Sequence, residues 1–260
     1  MEQQVSWGAG KPGDEDPLLS AQSDTEAYYG KLTKARDFSR RAVDSAIRAD
    51  SKETAASWQV TAALREAEFG NAALARQGVA AALALSRGRH VKLLAALTLA
   101  RIGDVPRAKA LAEELEKSYP TNTLLKLYWL PTIHAAIELN KGDSSQPLEY
   151  LEATAPYELG AAGTFINCLY PAYVRGQAYL LANNGTAATA EFQKLVDHRG
   201  IVGNFVTGSL AHVQIGRAYV MAGDTAKAKA AYQDFFSLWK DADPDIPILK
   251  QARAEYAKLQ

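Results

Sequence analysis

Apolar residues recur along most of this chain three and four positions apart, in helix-length stretches divided by glycine, asparagine and proline. That spacing lays them on one face of an α-helix. The stretches come in pairs. Six times the first of a pair ends at a turn residue, namely Gly30, Gly70, Gly103, Gly142, Asn183 or Gly223. Five positions later a small residue stands in the second stretch: Ala35, Ala75, Ala108, Pro147, Ala188 or Ala228. Glycine and asparagine accept the left-handed backbone that closes a helix C-terminus. A small side chain lets the second helix approach the first closely. Such a signal repeated along a chain predicts a solenoid, in which each unit packs on its neighbours.

The same pattern places the individual elements. A short helix over residues 1–9 stops at Gly8-Ala9-Gly10-Lys11-Pro12, because Gly and Pro together end a helix. It reads as the second helix of a pair whose first is missing, so the chain is expected to be a fragment of a longer protein. Asp14 or Asp16 is expected to cap the next helix, with Pro17 in its first turn; that helix runs to about residue 29 and its partner to about 49. Further pairs are predicted at 53–69 with 71–85, 90–102 with 105–118, 124–140 with 146–151, 169–182 with 186–197, and 209–222 with 225–239. Pro131 predicts a kink or a late start in its helix. Connectors longer than a tight turn are expected at 154–168 and 198–208. Asp245 is expected to begin a terminal helix, 247–260, which carries Leu249, Ala252, Tyr256 and Leu259 on one face. The division is one domain over 1–260, with repeats at 16–49, 56–88, 89–122, 128–161, 169–202 and 209–242.

Aromatic and small residues in the last units sharpen this reading. Ile215, Gly216, Tyr219, Gly223, Asp224, Ala228, Tyr232 and Phe235 resemble the tetratricopeptide repeat in register, as do Gly176, Tyr179, Ala188, Phe192 and Leu195 one unit earlier. Ala96, Leu99, Gly103, Asp104, Ala108, Leu115 and Pro120 keep the same positions in the third unit. The resemblance covers nearly the whole chain and is strongest at its end. It implies an all-α, right-handed superhelix of about six helix pairs with a closing helix. The turn residues lie 40, 33, 39, 41 and 40 apart, against a family period of about 34, so longer connectors are expected. Armadillo-like repeats share the longer period and stand as the alternative.

The segments YWLPTIHAAIELNKGD, LYPAYVRGQAYL, EFQKLVDHRGIV and AYQDFFSLWKDADPDIPILKQARAEYAKL also resemble the C-terminal repeats of large bacterial proteins of acidobacterial type. In several of these the repeats follow a serine/threonine kinase domain or a winged-helix regulator. The resemblance implies a sensory or scaffolding tail with no activity of its own.

Composition narrows the function classes. The chain has 260 residues, 48% hydrophobic and 22% charged, which is ample for a core and near the limit of a single globular one. Lys plus Arg equal Asp plus Glu at 29 each, so no overall field attracts a polyanion and nucleic acid is not an expected partner. No apolar run reaches the ~18 residues that span a bilayer, and membrane insertion is not expected. The composition does not fix a compartment. Cys168 has no second cysteine to pair with and reads as a small buried hydrophobe.

No catalytic, cofactor or metal residues are expected. His90, His134, His198 and His212 lack a second ligand at zinc-site spacing. Asp241, Asp243 and Asp245 imitate the opening of a calcium loop, but Ile246 stands where its glycine is needed and Ala252 where the bidentate Glu belongs; helix capping and a solvated turn are the expectation. Nucleophile-elbow, phosphate-loop, dinucleotide and kinase motifs do not occur. The basic cluster Lys31, Lys34, Arg36, Arg40, Arg41 and Arg48 is interleaved with Asp37, Asp44 and Asp50, which predicts charge compensation along the helix.

The resemblance to tetratricopeptide arrays implies that the first helix of each pair lines a concave groove. The corresponding positions are His90, Leu93 and Leu97; Trp129, Thr132 and Ala136; Tyr170, Tyr173 and Gln177; Val213 and Arg217. Trp, Tyr and Arg dominate interface energetics, so Trp129, Thr132, Tyr170, Tyr173, Gln177, Val213 and Arg217 are the candidate partner contacts. The competing role for Trp129 and one tyrosine is packing between helices. The Asn and Lys that clamp a peptide carboxylate in chaperone-binding members of the family are absent. The function implied is a non-enzymatic scaffold that binds a peptide or a partner domain. The alternative is self-association that regulates an attached kinase or transcription factor.

Overall fold

The computed structural model describes residues 2–160 and 169–259; Cys168 and the end of the first long connector lie outside them. Helix α1 (Glu2–Gly8) precedes six helix pairs: α2 (Glu15–Tyr28) with α3 (Leu32–Arg48), α4 (Lys52–Glu68) with α5 (Ala72–Leu85), α6 (Arg89–Arg101) with α7 (Val105–Ser118), α8 (Leu130–Leu139) with α9 (Ser145–Glu152), α10 (Tyr170–Leu181) with α11 (Gly185–Asp197), and α13 (Val206–Met221) with α14 (Thr225–Leu238). A one-turn helix α12 (Arg199–Val202) precedes the last pair and α15 (Pro247–Ala257) follows it. Among the described residues there is no strand.

Each turn and each small residue of the repeated signal does what its chemistry allows. All six turn residues have positive φ, from 56° at Asn183 to 89° at Gly70. All six small residues are buried. Two inner-helix glycines mark the closest helix approach, because a Cβ on Gly216 would lie 2.9 Å from the Tyr232 ring and one on Gly176 would lie 2.6 Å from Phe192. In the second pair the roles are exchanged: Gly78 on the outer helix faces Ala63 on the inner one, where a Cβ would come within 2.8 Å.

Three local expectations are corrected, and the late start expected at Pro131 takes a particular form. Ahead of Pro131 the chain forms a π-helical turn, Leu125–Trp129, before α8 begins; the wider turn absorbs the lost proline N–H. The 198–208 connector is mostly helical, since α12 lies within it and α13 starts at Val206 rather than Ser209. Neither Asp14 nor Asp16 makes a side-chain cap on α2; Glu15 instead accepts from the Gly10 amide at 3.2 Å. Asp245 does not cap α15, which Ile246 precedes in extended conformation.

The basic cluster on α3 is compensated, partly in the expected way. Arg40 pairs with Asp37 and Asp44, and Arg41 with Asp37. The other two pairs reach across helices, Arg36 to Glu66 at 2.7 Å and Arg48 to Glu15 at 2.9 Å. The seam between the first two pairs is polar as well. Buried Arg65 donates to Ser23 at 2.8 Å and Ser39 at 3.1 Å and pairs with Asp24. Farther on, buried Arg175 meets Glu191, the Leu151 carbonyl and Thr154, each at 2.9 Å, and also Glu158. It thereby ties the 154–158 segment to the fifth pair.

The array closes on itself. Inner helices α4, α6, α8, α10 and α13 each pack on the next, and α13 returns to touch both α2 and α4. The segment between α14 and α15 lies across the turns of the first two pairs. There the Trp239 indole donates to the Tyr28 carbonyl at 2.9 Å and the Asp243 amide to the Gly30 carbonyl at 3.0 Å. The Asp243 carboxylate accepts the Thr33 amide of the first turn of α3 at 2.6 Å, so this helix is capped from 210 residues away. The Ile248 amide reaches the Phe69 carbonyl at 3.3 Å. Turn glycines make room for this segment, since a Cβ on Gly30 would meet the Trp239 ring at 2.8 Å and one on Gly70 would meet Pro247 at 3.1 Å.

Candidate functional site

Closure crowds the middle of the array, and the inner helices fill it with a connected polar belt. Glu68 ends α4 and Arg101 ends α6; they form a bidentate pair at 2.6 and 3.0 Å. The Tyr170 hydroxyl donates to Glu68 at 2.8 Å. Arg101 also donates to Gln177 at 2.7 Å and lies 5.7 Å from the centre of the Tyr173 ring. From there Gln214 donates to the Tyr173 hydroxyl at 3.3 Å, and Arg217 makes a long contact to Gln214 at 3.4 Å. Arg217 is bidentate to Glu255 on α15, which also accepts from the Tyr232 hydroxyl at 2.8 Å. One chain of polar contacts thus joins α4, α6, α10, α13, α14 and α15.

Electrostatics keep the belt arginines charged and Tyr173 and Tyr232 neutral. Burial opposes the Arg101 charge, but Glu68 beside it more than offsets the loss and holds the guanidinium above its ordinary range. Burial first, and the nearby Glu68 charge second, push the Tyr173 phenol up. Burial and the hydrogen bond to Glu255 do the same for Tyr232. Each phenol therefore stays neutral and can donate to its neighbours.

Two recesses share this belt. Arg101, Gln177, Gln214 and Arg217 line both a cavity of about 200 Å³ toward α4 and α15 and an open basin of about 470 Å³. In the basin, Asn140 completes the polar lining, and Ala136, Leu139, Leu180 and Leu181 make the apolar side. Leu181 is 40% exposed at the mouth. Among the described residues no carboxylate lines the basin.

The seven candidate contacts separate by burial. Trp129, Thr132, Tyr170, Tyr173 and Val213 are buried in the array. Of these, Tyr173 also borders the smaller cavity. Gln177 and Arg217 line the basin, with the Arg217 side chain 24% exposed. Tyr170 and Tyr173 belong to the belt, while Trp129 packs edge-on against Tyr128 at 4.9 Å. Sequence reasoning missed Arg101, Gln214, Asn140 and the three leucines. Arg101, the last residue of its helix and unusual beside a run of apolar ones, was the one signal available.

Burial holds His90, His134 and His212 below the ordinary imidazole range, and His134 stacks on Tyr150 at 5.4 Å. Among the described residues no group of three or more His, Cys, Asp or Glu side chains is placed to hold a metal, and no helix is long and apolar enough to cross a membrane.

No family model and no curated protein sequence matches the chain. Its fold is similar to that in the crystal structure of the yeast protein Tom70, with a TM-score of 0.53 over 99% of this chain and 57% of that one, at 13% identity. The chain therefore spans little more than half of that protein's length. At this identity the likeness is one of fold: an all-α helical-repeat superhelix of tetratricopeptide type.

Proposed function

We propose that this array is a non-enzymatic interaction scaffold that holds a peptide or a partner domain in the basin between α6, α8, α10 and α13. The observation that carries the proposal is the basin itself. It joins exposed leucine surface to guanidinium and amide groups held rigid by the belt, the combination of apolar area and a few fixed polar groups that recognition sites use. Gln177 and Arg217 keep the contact role that the repeat register implies. Tyr170 and Tyr173 belong to the belt that positions these groups. The resemblance to bacterial kinase and regulator tails supports a finer reading, in which the scaffold serves a signalling protein.

Peptides selected from a random library displayed on phage test the site. Their affinity should fall about tenfold or more in Leu181→Ser, while the unfolding midpoint stays within the small range of exposed substitutions. Binders that Leu181→Ser leaves unaffected would remove the basin from the account.

A further inference from the structure

We infer that the basin selects an acidic side chain flanked by aliphatic ones, so that its occupant is a peptide segment carrying Asp or Glu beside Leu-like residues. This rests on the basin being the docking site. A guanidinium has five N–H donors. Arg101 uses Nε and Nη2 on Glu68 and Nη1 on Gln177, and Arg217 uses Nε and Nη2 on Glu255 and Nη1 on Gln214. Each therefore keeps two N–H donors beyond these contacts, on side chains that line the basin and are only 13% and 24% exposed. Gln177 accepts from Arg101 through Oε1, which leaves its amide donor as well.

The polar wall is thus rich in donors, and the compensating carboxylates do not line it. Glu68 borders only the smaller cavity, and Glu255 borders neither. Desolvated donors of this kind favour an acceptor-only, charged group, because charge-assisted bonds are about twice as strong as neutral ones. Beside them, Leu180 and Leu181, one turn after Gln177 on α10, supply apolar area that a carboxylate alone would leave uncovered. A lone anion would satisfy the donors and a plain apolar segment the leucines; an acidic residue between aliphatic ones satisfies both.

Three fluorescein-labelled peptides that share Leu on both sides of a central Glu, Gln or Lys test this by anisotropy on the full chain. The Glu peptide should bind about tenfold or more tighter than the Gln peptide, and the Lys peptide should bind most weakly. Leu181→Asp, which adds a carboxylate at the mouth without touching the belt, should erase the preference for Glu; Leu181→Lys should keep it. Equal binding of Glu and Gln peptides, tighter binding of the Lys peptide, or no binding by any of the three would overturn the inference. Loss of all binding-competent peptides in Leu181→Ser, without a preference for Glu, would leave the basin reading in place. A preference for Glu that persists through both Leu181→Asp and Leu181→Ser would remove both.

Discussion

Trp239→Ala should destabilise the protein by about 3–5 kcal/mol and open the ring. The side chain is 1% exposed, meets Phe69 edge-on at 5.2 Å and Phe235 at 4.7 Å, and its indole N–H satisfies the Tyr28 carbonyl. Truncation empties a site that three elements share, and it leaves that carbonyl without its partner at the end of α2. Helix α13 also touches α2 and α4, but the contacts of the 239–248 segment carry the closure over the turns. The Asp243 contacts and the Ile248 amide depend on the same segment keeping its course. Urea titration should show the lost stability, and small-angle scattering below the transition should show a larger radius of gyration. Trp7→Ala is the control, because Trp7 is 61% exposed and its loss should change stability by no more than about 0.5 kcal/mol.

Arg101→Leu should cost a similar amount for a different reason. Glu68 has a side chain only 1% exposed, and without the guanidinium it becomes a buried charge held by the Tyr170 hydroxyl alone. Removing one member of such a pair costs about 3–5 kcal/mol, whereas replacing both by apolar residues of similar volume is often close to neutral. The double substitution Glu68→Met with Arg101→Leu should therefore recover most of the loss. The part not recovered reflects the Tyr170 hydroxyl and Gln177, left without their belt partners. A denaturant double-mutant cycle reads this directly. Additive losses from the two single changes would mean that the pair does not act as one unit.

The local parts of this fold were legible because they follow from backbone chemistry. A helix that must turn sharply needs a residue tolerant of positive φ, and glycine or asparagine stands at each of the six places. Two packed helices that approach closely need a glycine opposite an aromatic ring, and Gly176 with Phe192 and Gly216 with Tyr232 show it. The i,i+3 and i,i+4 charge pairs on α3 followed from spacing alone.

Closure was not legible, since its contacts join residues about two hundred positions apart and use main-chain groups that any sequence possesses. Asp243 resembled part of a metal loop or a local cap; it caps α3 instead. The candidate groove residues followed from a register that assumes an open superhelix. In the closed array the Tyr170 hydroxyl is an internal donor and the Tyr173 hydroxyl an internal acceptor, and the proposed recognition surface lies in the basin, where the leucines were indistinguishable from ordinary helix residues. The π-helical turn before Pro131 belongs to the same class, because proline announces a disturbance without stating its form.

The central claim is that the last pair docks on the first to make one closed array with a fixed basin. Spin labels at exposed Lys34 and Lys240, placed on either side of the Asp243 contact, measure it by pulsed electron resonance. A closed array gives one short, narrow distance distribution that Trp239→Ala lengthens and broadens. A long or broad distribution in the unmodified protein would contradict the closed array and with it the basin.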